Sequence, residues 1–156
     1  MYADVITLFN RRKEESGEVW YPTIIRNVDL NADKGAIIAK YGEKSTDTAS
    51  LHVRFTPSGD GDFILCHDGE GNEIRKRYYP PKEWSRLEDF TDTITFQDGN
   101  DFDFFAVGAW ADEPIRDLDY VDGGLYNYMN KRYDNVYAVT SVAKYSVIPH
   151  FEILAK

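Results

Sequence analysis

Cysteine is almost missing from this 156-residue chain: Cys66 stands alone. A single cysteine excludes an intrachain disulfide framework and any zinc site built on cysteines. It fits a reducing compartment. Long apolar runs are missing too, and no stretch approaches the ~20 residues of a membrane span. The opening MYADVITLFNRRKEE lacks the basic-then-apolar order of a signal peptide, so a soluble, cytosolic protein is expected. Surplus positive charge is also absent. The net charge is −9, which disfavours adhesion to nucleic-acid phosphates. The basic clusters Arg11-Arg12-Lys13 and Arg75-Lys76-Arg77 are short, each with an acidic neighbour, and read as solvated loops.

Motifs that carry chemistry are equally scarce. There is no GxSxG nucleophile turn, no phosphate loop and no GxGxxG. His52, His67 and His150 are far apart in sequence, without an HxH or HxxxH pair, which leaves an assembly in space open. Cys66 beside His67 resembles a thiol–imidazole pair, but neighbours on a strand point to opposite faces. A buried thiol and an exposed imidazole are expected. The acidic turn Asp68-Gly69-Glu70-Gly71-Asn72-Glu73 alternates like a calcium loop yet has Glu where that loop needs Gly at its sixth position. Asp98-Gly99-Asn100-Asp101 loses the alternation at Phe102. Both read as hairpin turns. No catalytic, cofactor-binding or metal-binding residue is singled out, and the chain is not expected to be an enzyme or to need a cofactor.

What is present is aromatic and β-branched. With 11 Tyr, 9 Phe and 3 Trp, and a length that suits one domain spanning residues 1–156, the chain can bury a core of its own. The least interrupted apolar stretch is DNVYAVTSVAKYSVIPHFEILAK, residues 134–156. It predicts strands at 136–143 and 146–154, broken at Lys144-Tyr145, with Val139, Val142, Val147, Ile148, Phe151 and Ile153 in the core. Its position suggests a C-terminus tucked into the sheet.

Earlier in the chain, 3–9 reads as a strand with two fairly apolar faces, 10–18 as an exposed charged loop, and 20–28 as the return strand. Pro22 argues for a strand edge or a late start near Thr23. Residues 29–50, centred on Ala36-Ile37-Ile38-Ala39, fit a short strand in a long excursion or a helical turn. Residues 51–55 alternate, with Leu51, Val53 and Phe55 inward and His52 and Arg54 outward. Strands at 63–66 and 73–79 complete a meander with acidic, Gly-rich tips. Pro80-Pro81 stops the sheet and starts about two turns of helix over 82–88, with Trp84 and Leu87 inward. Strands follow at 93–97 and 102–110, the second dense enough in aromatics for burial on both sides. A helix is expected from Asp122, as N-cap, to Tyr133, with Leu125, Tyr128, Met129 and Arg132 on one face. The fold class expected is mainly β, a β-barrel or strongly curved antiparallel sheet, with one or two short helices. The polar loops 43–50 and 57–73 are candidate contact segments.

The segments MYADVITLFN, WYPTIIRNVDLNADKGA, LHVRF, YPPKEW, FDFF and YNYMNKRYDNVYAVTSVAKYSVIPHFEI resemble a family of small virion-assembly proteins from tailed phages and prophages of Gram-positive bacteria. That family is similar in size and strand content to head-closure (stopper) and other head–tail connector proteins. The resemblance implies a structural subunit of the virion neck, most readily a head-closure subunit in a homo-oligomeric ring. Its partners would be portal, adaptor and tail proteins, with DNA passing nearby without specific binding, no membrane and no cofactor. An adaptor, tail-completion or minor capsid protein is the nearer alternative, and a small prophage-encoded β-rich enzyme or inhibitor the further one.

Overall fold

A computed structural model describes residues 3–33 and 48–156. The apolar centre 36–39 and residues 43–47 of one candidate loop lie outside the described residues; 48–50 belong to a strand. In chain order come β1 (Asp4–Glu14), β2 (Gly17–Asp33), β3 (Thr48–Arg54), β4 (Thr56–Ser58), β5 (Gly61–His67) and β6 (Glu73–Tyr78). Then follow helix α1 (Pro81–Arg86), β7 (Thr93–Ile94), β8 (Phe104–Val107), β9 (Ile115–Arg116), helix α2 (Gly124–Arg132), β10 (Val136–Tyr145) and β11 (His150–Ala155).

Six antiparallel strands close into a barrel in the order β1–β8–β10–β11–β3–β2, and β2 returns to β1. Closure removes the open edges a flat sheet would expose. The expected barrel is therefore present, and the C-terminal strand sits between β10 and β3, as its composition implied. The long strand β2 makes closure possible. Its pairing with β1 shifts register between Asp4↔Val28 and Ile6↔Ile25, where Asn27 takes a left-handed φ of 56°. A bulge at that point bends the strand. Beyond it Asp29–Asp33 pair with β3, while Ile24 on the near side pairs with His67 of β5. β5, β6 and β7 thus form a flap that leaves the barrel at β2.

Alternation decides which residues fill the barrel. Ile6, Leu8, Leu51, Phe105, Phe151 and Ile153 are fully buried there, with Val53 and Tyr137 beside them. Burying one such side chain stabilises by roughly 1.5–3 kcal/mol. A second core lies outside β8, where Phe9, Trp20 and Phe104 meet Leu125 and Met129 of α2. Phe9 and Phe104 stack with ring centres 4.5 Å apart. The double-sided burial expected of 102–110 is real, because Phe105 faces the barrel and Phe104 faces the helix.

Several expectations need correction. Residues 10–18 are not an exposed loop: β1 and β2 run on in register to Glu14↔Gly17, leaving Glu15-Ser16 as the turn. Their arginines are covered rather than solvated. Arg11 lies over Trp20 at 4.6 Å, and Arg12 lies over Phe90 at 3.9 Å while donating to the Trp84 carbonyl. Aliphatic stems and flat guanidinium faces let such residues join an aromatic layer. Pro22 is inside β2, opposite Phe9. The strand's other side is laddered only at Val19–Trp20 and at Ile24, so the missing N–H costs no bond there.

The partner of β5 is β4 rather than β3, because the chain breaks at Phe55 and β3 joins the barrel. Only Thr93–Ile94 of the 93–97 segment is a strand, pairing in parallel with β6, and 102–110 shortens to β8. Asp122 does not cap α2. Gly123 is the N-cap at φ 95°, and the carboxylate of Asp117 accepts from the Leu125 N–H at 2.9 Å. Arg132 is exposed, over the Tyr128 ring. Val147 and Ile148 are not core, since β10 continues through Tyr145 and they form the turn beyond it.

One polar centre lies between the two cores. Asp103 is fully buried, and its carboxylate accepts from Asn10 Nδ2, the Arg11 N–H, the Gln97 N–H and Gln97 Nε2. Burial pushes its carboxyl up to about 7, against the pull of those donors.

Candidate functional site

Two surfaces stand out. The first is one end of the barrel. The turn between β10 and β11 places Val147 98% and Ile148 74% exposed, with Tyr145 half-exposed beside them. β-Branched side chains at such exposure gain nothing from the fold, and together with Tyr145 they make the tip apolar. The hairpin is fixed rather than free. Lys144 pairs with Asp62 of β5 and lies 5.2 Å over the Phe55 ring. The Phe55 N–H donates to the Pro149 carbonyl at 3.3 Å. The β4–β5 turn is thereby tied to the β10–β11 turn. Gly61 at that turn has φ 139°, and a Cβ there would come within 2.7 Å of Arg77 Nε.

Of the candidate segment 57–73, only one tip lies at this end. The other, Asp68–Asn72, is at the far end of β5, roughly 20 Å away along seven residues of strand. There the Asp68 carboxylate accepts from the N–H groups of Asn72 and Glu70 and from Asn72 Nδ2, which together hold it below the usual carboxylate range. Gly69 N–H donates to Asp112 at 2.7 Å. The Asp68 carboxylate is thus engaged in closing the turn.

The second surface is a cleft of ≈ 350 Å³ between β2, β6, α1 and residues 88–93. Tyr21, Trp84 and Phe90 form apolar walls, and Glu88, Asp89, Asp92 and Asp112 lie around it. Lys76 reaches in from β6 and donates to Thr23 Oγ1 at 2.7 Å. Burial holds its ammonium below the ordinary lysine range, opposed by Asp92 and Asp112. Asp92 itself has a left-handed φ of 52°. A recessed amine facing carboxylates makes this cleft a polar recess beside helix α1. In sequence, Lys76 was one member of a basic cluster read as solvated; on β6 strand alternation turns it to the face opposite Arg75 and Arg77, where Thr23 of β2 meets it.

Cys66 is buried in the core with its thiol pushed up to about 12, as expected, but the imidazole of His67 is half-buried rather than exposed, and its Nδ1 is covered without a hydrogen-bond partner. Among the described residues no group of three His, Cys, Asp or Glu is placed to hold a metal ion. No helix among them is long and apolar enough to cross a membrane.

The whole chain, residues 1–156, matches one family, the Family of unknown function (DUF6751). It belongs to that family. No curated protein and no solved structure matches the chain. Family membership covers both surfaces, the barrel end and the Lys76 cleft, within one matched unit. Chemically the two differ. The barrel end offers an apolar tip, and the cleft offers one recessed amine among carboxylates.

Proposed function

We propose that this protein is a structural subunit of the head–tail connector of a tailed phage, a head-closure subunit working in a homo-oligomeric ring within the virion. The observation that carries the reading is the apolar end of the barrel. A closed six-stranded frame holds two tied hairpins, and they present Val147 and Ile148 to solvent. Such a frame keeps its shape without a ligand, and its tip loses apolar exposure only on contact with another protein. The resemblance of WYPTIIRNVDLNADKGA and YNYMNKRYDNVYAVTSVAKYSVIPHFEI to phage assembly proteins supplies the setting. The acidic balance of −9 suits a ring whose bore passes DNA without retaining it.

The test is assembly in the bacterial host. Deleting the gene, or replacing it with a Val147→Asp, Ile148→Asp variant, should leave heads and tails unjoined in electron micrographs. Normal infectious particles after deletion would overturn the reading. An adaptor, tail-completion or minor capsid protein would share the docking requirement. Co-purification with a tagged copy separates these, since a head-closure subunit should bring down both portal-side and tail-side proteins.

A further inference from the structure

The histidines that are 98 residues apart in sequence, His52 and His150, meet on the outer face of the barrel with ring centres 5.5 Å apart. They come from neighbouring antiparallel strands: His150 is directly opposite Arg54, and Glu152 is directly opposite His52, so the two imidazoles are diagonal neighbours on one face. His150 is fixed in both orientation and tautomer. Its Nδ1 is 2.7 Å from the Ile148 carbonyl, which can only accept, so Nδ1 is the donor and Nε2 is the nitrogen open to a ligand in the neutral ring. Tyr145 stacks on the ring at 4.9 Å with the planes 13° apart, on top of the contact with His52. A histidine that donates one ring N–H to a backbone carbonyl has the support that metal-ligating histidines ordinarily have.

The spacing fits a shared ion. Zinc–nitrogen bonds of about 2.0–2.1 Å at a tetrahedral angle place two ligating imidazole centres roughly 5 Å apart. Carboxylates flank the pair. In the strand register Glu152 faces His52 from β11 and Asp29 faces it from β2, while Arg54 is the cation on the same face. As the side chains now lie, no third ligand completes a set. Glu152 is two residues along β11 from His150 and directly across from His52, so a change of rotamer would be needed to bring its carboxylate to the pair.

We propose that His52 and His150, closed by Glu152, form a surface site for a borderline divalent transition-metal ion of the zinc or nickel class, joining β3 to β11. Two imidazoles and one carboxylate leave a fourth position for water or for a donor from another molecule. The site does not depend on the connector reading, because it rests on the strand register and on the ring contacts of His52 and His150.

The experiment is thermal unfolding and calorimetric titration of the full chain with zinc chloride and nickel chloride, with magnesium chloride as the hard-ion control. Zinc should bind and raise Tm, and magnesium should do neither. His52→Ala and His150→Ala should each weaken zinc binding by at least about tenfold, and Glu152→Gln should weaken it less. All three residues lie on the outer face, so metal-free Tm checks that each variant folds. Should one of them not fold, proton NMR of the wild-type chain decides instead. Zinc should then move the imidazole resonances of His52 and His150 and leave those of His67 in place. Zinc binding retained in the double histidine variant, a shift confined to His67, or no wild-type binding tighter than about 1 mM would overturn the site.

Discussion

Asn10 in β1 and Asp103, the residue before β8, share a 2.7 Å hydrogen bond in the interior, with Asn10 Nδ2 donating to Asp103 Oδ2. Asn10 also donates to the Thr95 carbonyl at 2.7 Å, so one amide ties β8 to the segment that follows β7. Every contact to the carboxylate is a donor, and this makes the site intolerant of a second amide. Asp103→Asn replaces one accepting oxygen by an NH2 that points a donor at donors, and should cost about 2–4 kcal/mol. Urea melts check it, and a loss below about 1 kcal/mol would contradict the geometry.

The same carboxyl gives stability a pH dependence of defined sign. Its folded value of about 7 lies above the ordinary 3.8, so the folded chain holds the proton more tightly than the unfolded chain. Its contribution is complete below about pH 4 and is lost as pH rises to about 7. The denaturant midpoint should therefore fall between pH 5 and pH 7, after other carboxylates are allowed for by the Asp103→Asn comparison. A midpoint difference between the two proteins that stays constant with pH would refute the assignment.

Phe151 and Ile148, three residues apart, should behave oppositely. Phe151 is fully buried against Phe55, Tyr78 and Phe96, with ring centres 4.5–5.0 Å away. Phe151→Ala should cost about 3–5 kcal/mol. Ile148→Asp should change stability by less than about 0.5 kcal/mol. Equal losses in guanidinium melts would show that the hairpin tip is packed.

Lys76→Met removes a recessed ammonium that donates to Thr23 in the cleft. The variant should be more stable by about 1 kcal/mol, as when buried ionic groups give way to apolar ones of similar size. A comparable loss in thermal melts would mean that the amine is needed by the fold. A gain would mark Lys76 as kept at a cost to stability.

Local pattern alone carried much of the fold. Leu51, Val53 and Phe55 alternate with His52 and Arg54 and are buried as that alternation requires. YPPKEW starts a helix at Pro81 and buries Trp84. The misreadings share one cause. Arg11 and Arg12 are charged, yet they lie over Trp20 and Phe90, which come from elsewhere in the chain. Val147 and Ile148 have strand composition, yet β10 extends past Lys144 because Lys144 finds Asp62 across the barrel end. Asp122 has capping chemistry, yet Asp117 performs the task while accepting from the Trp20 indole at 2.8 Å. Partners from distant segments overrule propensity where a residue can be satisfied in either place.

By itself the sequence determined the class of the fold, because period-two burial of β-branched and aromatic residues admits few structures other than sheets. It also determined what the chain lacks, namely cysteine pairs, apolar spans and nucleotide-binding loops. Tertiary structure alone decided that the sheet closes, through the bulge at Asn27 that lets β2 serve β1 and β3 together. It alone brought His52 to His150 and recessed Lys76. Register between strands far apart in the chain creates those neighbours, and no local pattern encodes it.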